Sequence, residues 1–385
     1  MNFSQLEIKF FGNLVSENKI YSKLKILSNI VDQLKFYLII SATNTSEIRG
    51  ISAAGFNSKA RRKTALADAE YLLFGPRVDF KYKLPFLNAG VSPALISNAC
   101  AKLLDVNIDV IPIGIPEKPY FRHITLEDKL NLPAGCISSG NAMPQERVVD
   151  LYKKGLQIGI SSNHPFFISE SVPGGTSTAQ AVMEAFGLNV SDLVGSSLKN
   201  PPRDLKRKII SKGLKKANLK AGFDSIDVIA SLGDPFQALA MGIILGARKV
   251  NQTVILAGGS QMIAILLLAL EYIDSDKKQD FVENIFIATT NWLVRDNALN
   301  SLLTLIANKH QVEILGIGSP LNFKSSKYKE LKDYELGYVK EGVGAGGMSV
   351  LAYLKGFKSD DIINICEENI DKLREIGQIS SEKED

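Results

Sequence analysis

The chain has 385 residues, which suits one large α/β domain or two unequal domains better than an array of small ones. Hydrophobic residues make up 45% and charged residues 22%, as in ordinary globular proteins, which excludes wholesale disorder. A net charge of +4, with acidic and basic residues interleaved, is too small to indicate a nucleic-acid partner, whereas small anions remain suitable ligands.

The three cysteines and three histidines are scattered without the spacing of a disulfide framework or a metal site. We therefore expect no bound metal and a reducing, cytoplasmic location. The most membrane-like stretch, residues 254–270, is short and has a Gly-Gly-Ser-Gln sequence near its middle. A buried strand, a glycine turn and a buried helix explain it better than a membrane span, so no membrane contact is expected.

Short apolar runs alternate with longer helical patterns through most of the chain. The strand candidates are 36–41, 84–88, 108–113, 156–160, 253–257, 285–289 and 312–316. The helix candidates are 59–74, 93–104, 176–186, 203–216, 235–245, 260–272 and 295–309. Apolar strands that are each followed by a helix predict a parallel sheet covered on both faces, a Rossmann-like three-layer α/β core. Ligands of such sheets bind beyond the carboxyl ends of the strands.

The two chain ends differ from this pattern because both are lysine-rich and mostly helical in periodicity. We expect residues 31–335 to form the nucleotide-binding catalytic core. Residues 1–30 and 336–385 are expected to pack together as a small helical second domain.

The first candidate site lies where an apolar run ends at Glu170 and a Pro-Gly-Gly turn leads into a helix. Gly174 and Gly175 would let a phosphate approach the backbone, and Thr176 and Ser177 would open the helix with hydroxyl groups. The unpaired N–H groups of a helix N-terminus favour an anion there. Alternatively, Thr176 or Ser177 only caps the helix. The GK[ST] sequence of a Walker A loop is missing, which argues against an NTPase.

The second candidate is Glu341, a carboxylate immediately before a glycine-rich turn that enters a helix. Gly342, Gly344 and Gly347 match a GxGxxG pattern, but no convincing strand precedes them, so the pattern is weak evidence for a nucleotide site. A partly buried glutamate here would have a raised pKa and could act as a general base. A solvated glutamate near a helix N-terminus is the alternative.

Two further segments offer pocket residues. Asp234 precedes a proline and is a good helix N-cap, for which a structural role is favoured. Small residues in the following helix permit close helix packing, at positions 238, 240, 242 and 246. Gly258, Gly259 and Ser260 could line a nucleotide or ribose pocket, or they could only keep a strand-to-helix turn compact.

Taken in order, these motifs resemble the nicotinate-nucleotide–dimethylbenzimidazole phosphoribosyltransferase family, and more closely its divergent archaeal and cyanobacterial branch. The resemblance covers roughly residues 155–356. Residues 169–177, SESVPGGTS, are similar to the family's phosphate loop, Gly-Glu-Met-Gly-Ile-Gly-Asn-Thr-Thr. Residues 339–345, VKEGVGA, are similar to Leu-Gly-Glu-Gly-Thr-Gly-Ala, which contains the family's catalytic glutamate. The family's loop asparagine falls on Gly175, and its Asp-Gly-Phe falls on residues 257–259.

The resemblance implies that Glu341 removes a proton from the acceptor base, while Glu170 orients the ribose hydroxyls or stabilises positive charge at C1′. It also implies that the 5′-phosphate is held by Gly174, Gly175, Thr176 and Ser177. The reaction would move the 5-phosphoribosyl group of nicotinate mononucleotide to a benzimidazole or purine base. The product would be an α-ribazole-type phosphate for the nucleotide loop of a cobamide.

No metal or redox cofactor is implied, the substrates are small molecules, and a homodimer is expected. Two alternatives remain open. One is a different phosphoribosyl or nucleoside transferase on the same fold, and the other is a non-catalytic nucleotide-binding protein.

Overall fold

A computed structural model of the chain describes residues 7–379 except 15, 53, 54, 56, 86, 88 and 128–131. The strands, β1 to β7, are Lys9–Gly12, Lys35–Ser41, Ile108–Ile113, Phe166–Ser171, Val254–Ala257, Ile285–Thr289 and Leu315–Gly318. The helices, α1 to α15, are Glu17–Ile30, Ser58–Phe74, Ala94–Leu104, Gln145–Ser161, Gly175–Ala185, Arg203–Ala217, Ser225–Leu232, Pro235–Lys249, Ser260–Tyr272, Lys278–Val282, Asn291–Val294, Ala298–His310, Lys329–Glu335, Ala345–Leu354 and Ser359–Glu375.

All seven strands form one sheet in the order β1-β7-β6-β5-β4-β2-β3. Strands β2 to β7 run parallel, and β1 joins the edge of the sheet antiparallel to β7. The predicted parallel sheet is therefore confirmed for six strands. Their carboxyl ends lie along one edge, which we call the carboxyl edge.

The strands are apolar throughout because helices cover both faces of the sheet. Phe166 and Ile168 of β4 belong to the hydrophobic cluster on one face, whereas Phe167 belongs to the cluster on the other. The same alternation occurs in β5, where Val254 and Ile255 belong to opposite clusters. This arrangement confirms the predicted three-layer α/β core.

Two predicted strands are wrong. Residues 156–160 lie inside α4, although their alternating sequence LQIGI resembles a strand. The longer helical pattern determines the structure here, because α4 buries Val148, Leu151, Gly155 and Gly159 at helical spacing. Within the predicted strand 84–88, residues 84, 85 and 87 are not in a strand, and residues 86 and 88 lie outside the described part.

The chain ends pack on the same core. The prediction of a helical N-terminal segment overlooked β1, whose Phe10 pairs with Ile317 of β7. Leu24 of α1 and Ile362 of α15 are buried in the cluster on one face of the sheet. A separate domain formed by residues 1–30 and 336–385 stays a prediction. Within the described residues, no helix combines the length and apolar character needed to cross a lipid bilayer.

Helices α4 and α8 touch backbone to backbone through glycines, as the small residues of α8 predict. A Cβ atom added to Gly242 would lie 2.2 Å from the carbonyl oxygen of Tyr152, and one added to Gly155 would lie 2.2 Å from that of Leu239. Neither oxygen belongs to a flexible side chain. The contact therefore requires glycine at both positions.

We expect Gly242→Ala to destabilise the protein by about 1–3 kcal/mol because the added methyl group forces α4 and α8 apart. Urea denaturation monitored by circular dichroism measures the change. Gly195→Ala is the matched control, since a Cβ atom there meets no heavy atom within 4 Å. Equal stability of the two variants would contradict the close packing of α4 on α8.

Candidate active site

A cavity of about 770 Å³ opens at the carboxyl edge of the sheet. Its wall includes residues that follow β4, the first turn of α9 and the segment 338–343 before α14. The cavity therefore lies where a parallel sheet is predicted to bind its ligand.

The turn from β4 into α5 opens onto this cavity. Gly174 has φ +86°, in the left-handed region, and a Cβ atom there would lie 3.1 Å from the backbone nitrogen of Ser46. The N–H of Gly175 donates to the carbonyl oxygen of Val172 at 2.8 Å and closes the turn. Gly174, Gly175 and Thr176 all line the cavity. The positive end of the α5 dipole thus faces a space that an anion can enter.

Lys206 of α6 places a cation behind this turn, and the sequence prediction missed it. Its Nζ donates to Thr176 Oγ1 at 2.9 Å and to the carbonyl oxygen of Gly195 at 2.7 Å. Burial lowers the pKa of Lys206 to about 7. No ion pair of Lys206 is found in the described part of the chain. The sequence could have indicated Lys206, because it is spaced at helical intervals from Ile209 and Ile210 on the buried face of α6.

Asp234 connects the N-terminal ends of three helices beneath the cavity. Its carboxylate accepts hydrogen bonds from Thr178 Oγ1 of α5, from Gln261 Nε2 of α9 at 2.9 Å and from the Gln237 N–H of α8 at 3.1 Å. Burial raises the pKa of Asp234, and these donors oppose the rise. The favoured structural role of Asp234 fits this position between helices.

The carboxylate of Glu341 accepts four hydrogen bonds. Oε2 accepts from Thr289 Oγ1 at 2.9 Å and from the Thr290 N–H at 2.8 Å, both at the end of β6. Oε1 accepts from the N–H groups of Gly342 at 3.0 Å and Gly346 at 3.2 Å, at the start of α14. Burial raises the pKa of Glu341, and the four donors oppose that rise. Glu341 thereby joins the segment 338–343 to the sheet.

The backbone around Glu341 is strained. Val339, Lys340 and Val343 have φ values of +62°, +68° and +56°, a region that residues other than glycine rarely enter and that β-branched residues such as valine enter least. The N–H of Val339 donates to the carbonyl oxygen of Ser197, and the N–H of Val343 donates to that of Glu170, each at 3.0 Å. Strain of this kind persists only where surrounding contacts impose it, and it concentrates at functional sites.

Glu170, in β4, presents its side chain on the cavity wall. Burial, helped by the negative charges of Asp234, Glu341 and Asp68, raises the pKa of Glu170 to about 8. The carboxyl group of Glu170 therefore holds its proton more readily than an ordinary glutamate does.

Asp68 of α2 lines the cavity and is another residue that the sequence prediction missed. Its oxygens accept hydrogen bonds from Ser92 Oγ at 2.7 Å and from Ser171 Oγ at 2.8 Å. Burial raises the pKa of Asp68 to about 6, and the two hydroxyl groups oppose the rise. The sequence feature that could have indicated Asp68 is an acidic residue within the otherwise apolar helical stretch TALADA.

The structure brings most of the sequence-predicted residues together around one cavity. Those that line the cavity are Glu170, Gly174, Gly175, Thr176, Gly259, Ser260, Glu341 and Gly342. Those that lie behind the wall are Ser177, Asp234, Gly258 and Gly344. The fully buried Ser177 hydroxyl has no hydrogen-bond partner among the described residues. Within the same residues, no cluster of His, Cys, Asp and Glu has the geometry to hold a metal ion.

We expect Lys206→Met to stabilise the protein by about 1–2 kcal/mol at pH 6, because a buried ammonium without a carboxylate partner is removed. The folded-state pKa of Lys206, about 7, lies below its unfolded value. The cost to stability of burying this charge is therefore full below pH 7 and decreases as the pH rises toward the pKa of the unfolded chain. Thermal unfolding at pH 6 and pH 9 should show the larger gain at pH 6. The control is Lys208→Met, an exposed change on the same helix; a gain that is no larger at pH 6 would contradict the burial of the charge.

Comparisons with known proteins show the family of the chain and the similarity of its fold. A family model described as "Phosphoribosyltransferase" matches residues 89–274. The chain is 60% identical over 384 residues to a UPF0284 protein of Prochlorococcus marinus subsp. pastoris, covering 100% of both chains. It is 35% identical over 351 residues to a UPF0284 protein of Crocosphaera subtropica, covering 89% of this chain and 93% of that one.

Among solved structures, the fold is similar to that of the nicotinate-nucleotide-dimethylbenzimidazole phosphoribosyltransferase from Thermus thermophilus. The TM-score is 0.56 at 16% identity, covering 96% of each chain. A second structure, described as CobT from the same organism, gives a TM-score of 0.54 at 14% identity and covers 91% of this chain and 96% of that one. The chain therefore belongs to the UPF0284 family, and its residues 89–274 match the phosphoribosyltransferase family model.

Proposed function

We propose that the protein transfers the 5-phosphoribosyl group of nicotinate mononucleotide to a benzimidazole or purine base. The product is an α-ribazole-type phosphate for the nucleotide loop of a cobamide. One observation carries the proposal: the N-terminal turn of α5, which suits a phosphate, and the carboxyl groups of Glu170 and Glu341 face the same cavity.

The 5′-phosphate of the donor binds at the start of α5. The backbone of Gly174 and Gly175 approaches it, and Thr176 donates its hydroxyl hydrogen to a phosphate oxygen. Lys206 already donates to Thr176 Oγ1, so the hydroxyl hydrogen is left to point elsewhere. Phosphate binding also favours the charged form of Lys206, because opposite charges stabilise each other in a buried setting.

The reaction needs little acid catalysis of the leaving group. The donor's ring nitrogen is positively charged, so it accepts the electron pair of the C1′–N bond and departs as neutral-ring nicotinate. A ring nitrogen of the acceptor attacks C1′ through an oxocarbenium-like state. The acceptor then loses the proton from its other ring nitrogen, and the candidate bases are Glu170 and Glu341. Holding phosphate and carboxyl groups on one rigid wall fixes C1′ against the attacking nitrogen.

Two broader statements remain part of the proposal. The substrates are small molecules only, and the working form is a homodimer in the cytoplasm. The resemblance to the phosphoribosyltransferase family supports the small-molecule substrates and the homodimer.

Purified protein should release nicotinate from nicotinate mononucleotide only when an acceptor base is present. The panel is dimethylbenzimidazole, benzimidazole, adenine and a phenol, with nicotinate measured by chromatography. Base-dependent release identifies both the reaction and the acceptor. Binding of the nucleotide without turnover on any base would indicate a nucleotide-binding protein or another donor, and absence of binding would contradict the phosphate site.

We expect Thr176→Val to raise the KM for nicotinate mononucleotide about 10-fold to 100-fold with little change in kcat. The lost hydrogen bond to a charged phosphate is worth about 1.5–3 kcal/mol and is made equally in the ground and transition states. The matched control is Thr304→Val in α12, away from the cavity wall. An unchanged KM would place the phosphate elsewhere.

A further inference from the structure

One face of α2 brings polar side chains to the cavity. Arg61, Thr64 and Asp68 recur at helical spacing, and all three line the cavity although each is at most 6% exposed. The proposed reaction gives none of them a role. Polar groups buried to this degree are satisfied either by the protein or by a ligand. The hydrogen-bond partners of Asp68 therefore indicate what the space beside this face can bind.

Asp68 fixes the direction of two hydroxyl groups. Ser92 Oγ donates to Asp68 Oδ1 at 2.7 Å, and Ser171 Oγ donates to Asp68 Oδ2 at 2.8 Å. An ionised carboxylate only accepts hydrogen bonds, so each serine directs its single hydroxyl hydrogen at Asp68. Both serines line the cavity. They therefore offer a ligand lone pairs and not hydrogen atoms.

The lone pairs that remain on these three side chains can be counted. The N–H of Ala94 donates to Ser92 Oγ at 3.2 Å, which leaves one lone pair on Ser92. Ser171 Oγ accepts no hydrogen bond from the described residues, so it keeps two. Asp68 has about two of its four lone-pair positions left. We call Asp68, Ser92 and Ser171 the Asp68 cluster; it can accept hydrogen bonds from a ligand but cannot donate them.

The Asp68 cluster lies beside both glutamates that are candidates for receiving the proton of the acceptor base. Its Ser171 directly follows Glu170 in the chain. Its other serine precedes Pro93, and a Cβ atom added to Gly342 would lie 2.9 Å from Pro93 Cγ. Gly342 directly follows the second glutamate. An acceptor base that gives its proton to either glutamate is therefore bound next to this cluster.

The charge of the Asp68 cluster excludes the phosphate from it. The phosphate suits the opposite arrangement at Thr176, where Lys206 donates to the hydroxyl oxygen and leaves the hydroxyl hydrogen for the ligand. A cation thus sets the hydroxyl direction where the ligand supplies lone pairs. An anion sets it where the ligand must supply a hydrogen atom.

We propose that the Asp68 cluster selects the acceptor base by accepting a hydrogen bond from a further N–H group on its ring, such as an exocyclic amino group. This inference rests on the proposed function and names the substrate class of the same site. Asp68 is then a specificity-determining residue that takes no proton in the reaction.

An apolar substituent beside the Asp68 cluster is disfavoured. It would displace water from Asp68 and leave buried lone pairs without a donor, which lowers binding about 10-fold to 100-fold. A methyl group is close to an amino group in size but has no hydrogen to donate. The cluster therefore distinguishes the two substituents by hydrogen bonding and not by volume.

The test compares two acceptor bases that differ in one substituent. 5-Aminobenzimidazole and 5-methylbenzimidazole are each supplied with nicotinate mononucleotide, and nicotinate release gives kcat/KM. The assays run at about pH 8, well above the pKa of Asp68 of about 6, so that its carboxylate is ionised. We expect wild-type protein to prefer the amino compound about 10-fold to 100-fold in kcat/KM.

Variants assign the preference to the cluster. In Asp68→Asn the amide accepts from one serine and donates to the other, so one hydroxyl hydrogen turns toward the ligand and opposes its amino group. We expect kcat/KM for the amino compound to fall about 10-fold or more, with little change for the methyl compound. Ser171→Ala should also lower the preference, because it removes lone pairs and keeps the charge. The control is Asp150→Asn at an exposed position of α4 that does not line the cavity, and thermal unfolding verifies that each variant is folded.

The outcomes separate this inference from the proposed function. If wild-type protein uses both compounds equally well, the cluster does not recognise the acceptor base, and the transferase activity stands. If Asp68→Asn keeps the preference but raises the KM for nicotinate mononucleotide, the cluster binds the ribose hydroxyls and this inference is wrong. If no base causes nicotinate release, the proposed function fails and this inference fails with it.

Discussion

Burial of the Glu170 carboxyl group beside three other acidic side chains, at the carboxyl edge of the sheet, is the constraint on which the rest of the site depends. Asp68, Glu170, Asp234 and Glu341 come from different elements, and the first, third and fourth all act on Glu170. Buried charges of one sign are tolerated only where donors satisfy them. Ser92 and Ser171 satisfy Asp68, while the N-terminal ends of α5, α8 and α9 satisfy Asp234. Glu170 lines the cavity and accepts no hydrogen bond from a side chain among the described residues, and burial raises its pKa.

The strained segment 338–343 follows from the same constraint. Glu341 can accept hydrogen bonds from β6 and α14 together only if the chain turns sharply on both sides of it. Val339 and Val343 enter the left-handed region as a result. The four hydrogen bonds and two backbone contacts offset this cost. The hydrogen bonds of Glu341 thus hold this part of the cavity wall in one geometry.

Sequence reasoning recovers the layers and most of the cavity wall but not its electrostatics. The parallel strands are visible as apolar runs, and the turn at Gly174 follows from glycine and hydroxyl residues at a helix start. The strand predicted at residues 156–160 is wrong because a five-residue alternation is ambiguous, whereas the glycines that pack α4 on α8 act at helical spacing.

Lys206 and Asp68 escape sequence reasoning for a different reason. Each is a charged residue on a buried helix face, and its importance depends on partners that are distant in sequence. Lys206 meets Thr176 across 30 positions, and Asp68 meets Ser171 across 103. The number of donors on Glu341 is likewise a property of the folded loop. Motifs identify which residues surround the cavity, and only the fold determines how many hydrogen bonds each carboxyl group accepts.

A crystal structure of the protein with nicotinate mononucleotide bound tests the central claim most directly. The account predicts the 5′-phosphate at the N-terminal turn of α5, beside Gly174, Gly175 and Thr176. It also predicts the nicotinate ring in the cavity that Glu170 and Glu341 line. A phosphate bound away from this turn, or a ring bound outside the cavity, would contradict the account.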